Sequence, residues 1–171
     1  MKVLIISDTH GHARNLKAVL ERVAPVDALI HCGDVEGEED YIGELAGCPL
    51  YVVAGNNDYF SMLDREMDFE LGGKQIFLCH GHHYGVSMGV ERIREEGQSR
   101  KADIVMYGHT HKPYLDIRED ITVLNPGSLA YPRQFPRDPS YMVMEIDGCG
   151  EAHSVSYTHL RAHETRAYLG C

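Results

Sequence analysis

The apolar positions come in short blocks between polar loops, and their period changes along the chain. Residues 3–6, Val-Leu-Ile-Ile, are wholly apolar, the pattern of a strand buried on both faces. After a polar turn, residues 13–23 place Leu16, Val19, Leu20 and Val23 at helical spacing. Residues 28–32 predict a second buried strand. Residues 38–46 predict a short helix with Tyr41, Ile42 and Leu45 inward, and 50–53 a third strand. Strands alternating with helical patterns predict βαβ units and a mostly parallel sheet.

The middle of the chain reads differently. Residues 67–71 and 74–79 predict a hairpin across Gly72-Gly73. A helix is expected over 86–96 and a strand over 104–107. Residues 114–118, 121–124 and 141–146 predict further strands with Pro and Gly between them. An α/β beginning and a β-rich second half predict two packed sheets with helices outside. No repeat or long linker divides residues 1–154, which read as one domain. From residue 155 the apolar spacing fits neither a strand nor an amphipathic helix. Residues 155–171 are therefore set apart as a doubtful tail, either a non-native cloning or assembly scar or an authentic C-terminal helix.

Composition narrows the class. The chain has 171 residues, 43% hydrophobic and 25% charged, as in a soluble globular domain. Its formal net charge of −10 argues against stable nucleic-acid binding, which needs a basic patch. No apolar run approaches the roughly 18 residues that span a bilayer, so no membrane partner is expected. Only four consecutive apolar residues stand near the start, too few for a secretion signal. The five cysteines are scattered and lack a C-x-x-C pair, against a disulfide framework or a thiolate zinc site. A cytoplasmic location with reduced thiols is expected. The 11 histidines raise the question of whether they cluster with carboxylates around metal ions.

They fall into motifs that each follow a predicted strand: Asp8-x-His10, Gly33-Asp34, Gly55-Asn56-Asn57-Asp58, His80-Gly-His82 and Gly108-His109-x-His111. Strand carboxyl ends in open α/β sheets converge on one edge, so these residues can meet in one cleft. Residues i and i+2 of an extended turn point the same way, so Asp8 can join His10, and His109 can lie beside His111. Carboxylate, imidazole and carboxamide without thiol suit Mn²⁺, Fe²⁺, Zn²⁺ or similar ions. A pair of such ions needs a bridging anion. Asp34, alone after a buried strand, is the natural bridge.

In this order the five motifs resemble the calcineurin-like metallophosphoesterase superfamily, in particular its small bacterial and archaeal phosphodiesterase branch. The resemblance spans roughly residues 1–153. It implies a four-layer αββα sandwich of two mixed β-sheets. It implies one metal held by Asp8, His10, Asp34 and His111, and a second held by Asp34, Asn56, His80 and His109. Mn²⁺ is the first choice, with Ni²⁺, Fe²⁺ and Zn²⁺ as alternatives. A metal-bridging hydroxide would attack phosphorus in line.

The resemblance also implies a departure. Many members carry His at the third position of G-N-x-D, where this chain has Asn57. An amide hydrogen-bonds a phosphate oxygen but delivers no proton near pH 7. Phosphodiesters are therefore expected to be better substrates than alkyl phosphomonoesters. Asn57, Asp58 and His82 are assigned to the catalytic machinery, with Asp58 orienting its loop. His12 and His82 are the candidate proton donors. His31 reads as a core residue or a support behind the ligands, and His83 as structural or exposed. Ser128 and Arg133 are candidate phosphate contacts, with a plain turn and a surface arginine as the alternative. The acidic run 36–40 reads as a solvated helix start. The alternative function is a protein-interaction scaffold of the same fold, as in a retromer coat subunit. Substrate identity and homo-oligomerisation stay open.

Overall fold

A computed structural model describes residues 1–148, 152–159 and 165–167. Two mixed β-sheets pack face to face. The first has the order β11-β10-β9-β1-β2-β3. Its centre is the parallel trio β1 (Lys2–Ile6), β2 (Ala28–His31) and β3 (Leu50–Val52), with β9 (Ser140–Ile146) antiparallel to β1. The second has the order β4-β5-β6-β8-β7: β4 (Glu66–Leu71), β5 (Lys74–Cys79), β6 (Ile104–Met106), β7 (Tyr114–Ile117) and β8 (Thr122–Asn125). The pairs β5–β6 and β6–β8 are parallel.

Alternation along the strands builds the layers. Val3, Ile5 and Ile30 of the first sheet meet Ile76, Leu78, Ile104, Met106 and Leu124 of the second between the sheets. Leu4, Ile6 and Leu29 point outward onto Leu16, Val19 and Leu20 of α1 (Arg14–Val23) and Ile42 of α2 (Glu39–Ala46). Phe77, Val105 and Val123 point outward onto Ile93 of α3 (Glu91–Ser99). Strands covered on both faces have no polar side, so they read as unbroken apolar runs. The order helix, sheet, sheet, helix is the expected αββα sandwich.

Two local expectations are corrected. The helix expected over 86–96 begins at Glu91, after a single 3-10 turn, His82–Tyr84, and an irregular stretch. Val86 and Val90 are both buried, so their four-residue spacing comes from two anchors of a loop, not from a helix. The chain after residue 154 is not wholly irregular. β10 (Ala152–His159) passes through that position beside β9, and β11 (Thr165–Ala167) pairs with it. Both strands are held by backbone ladders, which need no apolar alternation. The rest of the tail, 160–164 and 168–171, lies outside the described residues. Among the described residues, no helix is long and apolar enough to cross a membrane.

Candidate metal centre

The five motifs follow the carboxyl ends of β1, β2, β3, β5 and β6. Backbone hydrogen bonds tie their loops together: Asp8 N–H to Gly33 O at 3.1 Å, His10 N–H to Asp34 O at 2.9 Å, and Gly108 N–H to His80 O at 3.2 Å. The loops approach so closely that a Cβ at Gly55 would sit 2.1 Å from Asp34 Oδ1, and one at Gly108 would sit 2.1 Å from Ser7 Oγ. Only glycine fits there.

The ligand loops are not extended. Asp8, His10, Asp34, His109 and His111 all have positive φ, from 47° to 69°. The left-handed backbone, not strand-like alternation, turns Asp8 with His10 and His109 with His111 toward the cleft. Such residues cost about 1–3 kcal/mol each and persist where the surroundings over-determine them.

Side chains converge as the backbone directs. One donor atom each from Asp8, His10, Asp34 and His111 lies within 4.8 Å of the others. His111 Nε2 is 3.1 Å from Asp8 Oδ1 and 3.3 Å from His10 Nε2. His10 Nε2 is 3.7 Å from Asp34 Oδ2. On the other side of Asp34, the same Oδ2 is 3.4 Å from His80 Nε2. Asn56 Oδ1 lies 3.1 Å from His80 Nε2 and 2.8 Å from His109 Nδ1. Asp34 thus stands between two groups of donors.

The outer nitrogens are occupied. His10 Nδ1 bonds Glu36 Oε1 at 2.8 Å, His80 Nδ1 bonds Cys32 O at 2.7 Å, and His111 Nδ1 bonds Tyr131 O at 2.7 Å. A proton on each Nδ1 leaves Nε2 with its lone pair directed inward, the tautomer a metal requires. Asp8 Oδ1 is fully buried and accepts no hydrogen bond, although His111 Nε2 is near it. A buried carboxylate oxygen without a donor is costly unless a cation satisfies it. The oxygen and nitrogen donors, without thiol, fit hard or borderline dications.

Electrostatics agree. Burial pushes the Asp8 and Asp34 carboxyls up, but histidine neighbours outweigh it. The nearby His111 and His80 imidazoles, with the hydroxyl that Ser7 donates to Oδ2, hold Asp8 below the usual carboxylate range. His80 and two Asn57 donors do the same for Asp34. Both carboxylates are therefore ionised at neutral pH. Burial alone would lower the His80 pKa, yet Asp34 and Asp8 raise it. Burial and His80 lower that of His109.

Residues 1–148 match the model of the calcineurin-like phosphoesterase superfamily domain. The chain belongs to that superfamily. It is 33% identical over 148 residues to the probable metallophosphoesterase YsnB of Bacillus subtilis, covering 86% of this chain and 85% of that one. It is 31% identical over 145 residues to the phosphodiesterase MJ0936 of Methanocaldococcus jannaschii, covering 74% and 83%. Among solved structures, Vps29 of Entamoeba histolytica shares the fold with a TM-score of 0.83 at 24% identity, covering 99% of this chain and 100% of that one. In this member of the calcineurin-like superfamily, all five motifs face one cleft.

The residues around the ligands sort less simply. Asp58 does not reach the cleft. Its carboxylate accepts backbone N–H groups from Gly55 at 2.7 Å, Asp34 at 2.9 Å, Val35 at 3.3 Å and Glu36 at 2.6 Å. These bonds tie its own loop to the Asp34 loop. Asn57 donates to Asp34 from both its backbone and its side chain, the latter to Oδ2 at 2.7 Å. The His82 ring lies 5.5 Å from His80 and 6.0 Å from His109. Burial and the neighbouring His80, His83 and His109 push its pKa down to about 4. Unloaded, it is neutral near pH 7, a weak general acid that carries no imidazolium proton. His12 Nδ1 accompanies His10 O at 2.6 Å.

His31 is fully buried behind the ligands, as expected, bonding Thr9 and Gly33. His83 is exposed. Ser128 is fully buried, and its hydroxyl bonds Asp8 O while accepting the Ala130 and Tyr131 N–H groups. It is a turn residue under Asp8, not a phosphate contact. Within the acidic run, Glu36 is no mere solvated residue, since it holds His10. Glu38 likewise accepts the Ala13 N–H at the start of α1 at 2.9 Å. No motif marks Glu36 or the carbonyls of Cys32 and Tyr131. Only position after the Gly33-Asp34 block could have flagged Glu36.

Proposed function

We propose that this chain hydrolyses phosphodiesters with the help of two divalent metal ions. The reading rests chiefly on the Asp8 Oδ1 oxygen, buried without a hydrogen bond beside inward-facing imidazole nitrogens. Asp8, His10, Asp34 and His111 would hold one ion. Asp34, Asn56, His80 and His109 would hold the other, with Asp34 shared. When bound, two dications polarise phosphoryl oxygens and bring the pKa of a bound water to about 7. Mn²⁺ is the first choice, with Ni²⁺, Fe²⁺ and Zn²⁺ as alternatives.

The chain's own contribution is preorganisation. Glu36, Cys32 O and Tyr131 O fix three imidazole tautomers. Asp58 locks the loop that carries Asp34. Asn57 offers an amide N–H to a non-bridging phosphate oxygen but no acidic proton to a leaving group. His82 extends the imidazole wall beside His80 and His109. A site without a strong acid favours leaving groups that depart with little protonation, in small-molecule diesters ahead of alkyl monoesters. The scaffold alternative would fit a depleted ligand set, whereas every ligand position here carries a donor.

The test is turnover of bis(p-nitrophenyl) phosphate by Mn²⁺-loaded protein, against p-nitrophenyl phosphate and with a chelator. Faster diester turnover, abolished by chelation, is expected. Faster monoester turnover overturns the diester preference. Absence of turnover with any divalent ion, in folded protein, favours the scaffold.

A further inference from the structure

A cavity of about 660 Å³ lies beside the His109–His111 loop. Thr110, between the two histidines, lines it, as do Lys112 and Arg133. The Arg133 backbone N–H bonds His111 O at 3.0 Å, so this wall is continuous with the ligand loop. The remaining wall is largely apolar and includes Val86, Val90, Pro113, Tyr107 and Tyr114. Its size lies in the range that accepts ring-bearing small molecules.

Its aromatic wall is fixed. Tyr107 is buried, and its ring centroid lies 6.4 Å from that of Tyr114, at 53°. The Tyr114 hydroxyl donates to Asp116 Oδ2 at 3.3 Å. Arg94 and Arg118 also donate to that oxygen, and Arg94 is itself buried. Tyr114 is half-buried against Tyr107, so the ring it offers a flat guest has little rotamer freedom left to lose. Lys112 and Arg133 put two cations against the single carboxylate of Glu91, a locally positive wall in a chain of net charge −10. A short alcohol such as glycerol would leave most of this apolar wall wet.

The geometry points to a specificity subsite that takes an aromatic ester group of the phosphodiester, of aryl or nucleoside kind, while its phosphate lies at the metal centre. The inference rests on the proposed phosphoesterase function and adds the class of substrate.

Binding tests it apart from catalysis. Phenyl phosphate and methyl phosphate carry the same anion and differ in the ring. Isothermal titration of Zn²⁺-loaded protein is expected to give about tenfold tighter binding of phenyl phosphate. The methyl resonances of Val86, Val90 and Met88 should shift with phenyl phosphate and stay still with methyl phosphate. Ser87 is exposed on the cavity wall, so Ser87→Trp should fill the space without disturbing the fold. In that variant the phenyl advantage should vanish while methyl phosphate binds as before. Equal affinities in the unsubstituted chain, or ring-induced shifts elsewhere, overturn the inference. Ring preference without turnover of any diester would instead overturn the proposed activity and leave the subsite standing.

Discussion

Asp58 Oδ2 accepts the backbone N–H of Asp34 at 2.9 Å, and so the carboxylate that ends the G-N-x-D motif supports the one that joins the two donor groups. Three further N–H groups converge on Asp58. Asp58→Asn would turn part of that acceptor into a donor facing donors. The Asp34 loop should loosen, and affinity for Mn²⁺ should fall about 10–100-fold, as is typical when a support behind a ligand is lost. Titration calorimetry measures this. Unchanged affinity would remove Asp58 from the centre.

Asp34→Ala should abolish binding of both ions and reduce diester turnover to background, because Asp34 Oδ2 lies 3.7 Å from His10 Nε2 and 3.4 Å from His80 Nε2 and would be shared by both ions. The unloaded variant should nevertheless fold. Asp8 and Asp34 bring two negative charges to one buried site, so deleting one relieves repulsion. The unsubstituted chain should gain thermal stability on addition of metal, and the variant should not. Two ions bound by Asp34→Ala would refute the assignment.

The strands and the candidate donors were legible for the same reason. Val3–Ile6-type runs are continuous because both faces of β1 are covered, and Asp8 is conspicuous because it ends such a run. His10 and His111 are far apart in sequence, yet each sits in a strand-end motif, and so they could be brought together on paper. The supports were illegible because two of them, Cys32 O and Tyr131 O, are backbone carbonyls that any residue supplies. Glu36 was hidden in an acidic run, a pattern more common on solvated surfaces. Val86 and Val90 misled because loop anchors can share a helix's spacing. β10 was missed because a ladder with β9 leaves no required side-chain pattern.

Glu36 offers a test of that hidden layer. Its carboxylate fixes His10 Nδ1 at 2.8 Å from a partly exposed position, so its loss should not unfold the chain. Glu36→Ala should weaken metal binding about 10-fold or more. Glu36→Gln keeps an acceptor oxygen and should recover most of it. Equal affinities for Ala and Gln would mean that the contact does not orient the ring.

His31 should make stability depend on pH. Gly33 N–H donates to its Nδ1, so the single ring proton sits on Nε2 and donates to Thr9 Oγ1. A second proton would meet the Gly33 N–H head-on. Burial first, against the pull of nearby carboxylates, brings the His31 pKa down to about 4 from an ordinary 6.5. Between these values the unfolded chain binds more protons than the folded one. This contribution is therefore fully present above pH 6.5 and is lost as pH falls toward 4, by about 3 kcal/mol in total. Denaturant unfolding of the unloaded chain across that window should be less pH-dependent in His31→Gln than in the unsubstituted chain. Identical slopes would show that other groups carry the acid sensitivity.

Asn57 supplies the last prediction, on reaction class. Its amide now bonds Asp34 Oδ2, the oxygen that also lies near His10 and His80. It can release that bond to meet a phosphate oxygen, but in either role it only donates a hydrogen bond. Asn57→His would place an imidazole at the same loop position, a group whose ordinary pKa near 6.5 allows it to protonate a departing alkoxide. General acid catalysis is worth about 10²–10⁴-fold where a leaving group needs it. The variant should therefore gain most on alkyl phosphomonoesters and little on bis(p-nitrophenyl) phosphate, whose phenolate leaves readily. The monoester rate should also fall on the alkaline side as the imidazole loses its proton. Parallel changes for both substrates, or a flat profile, would show that position 57 acts by geometry and not by proton transfer.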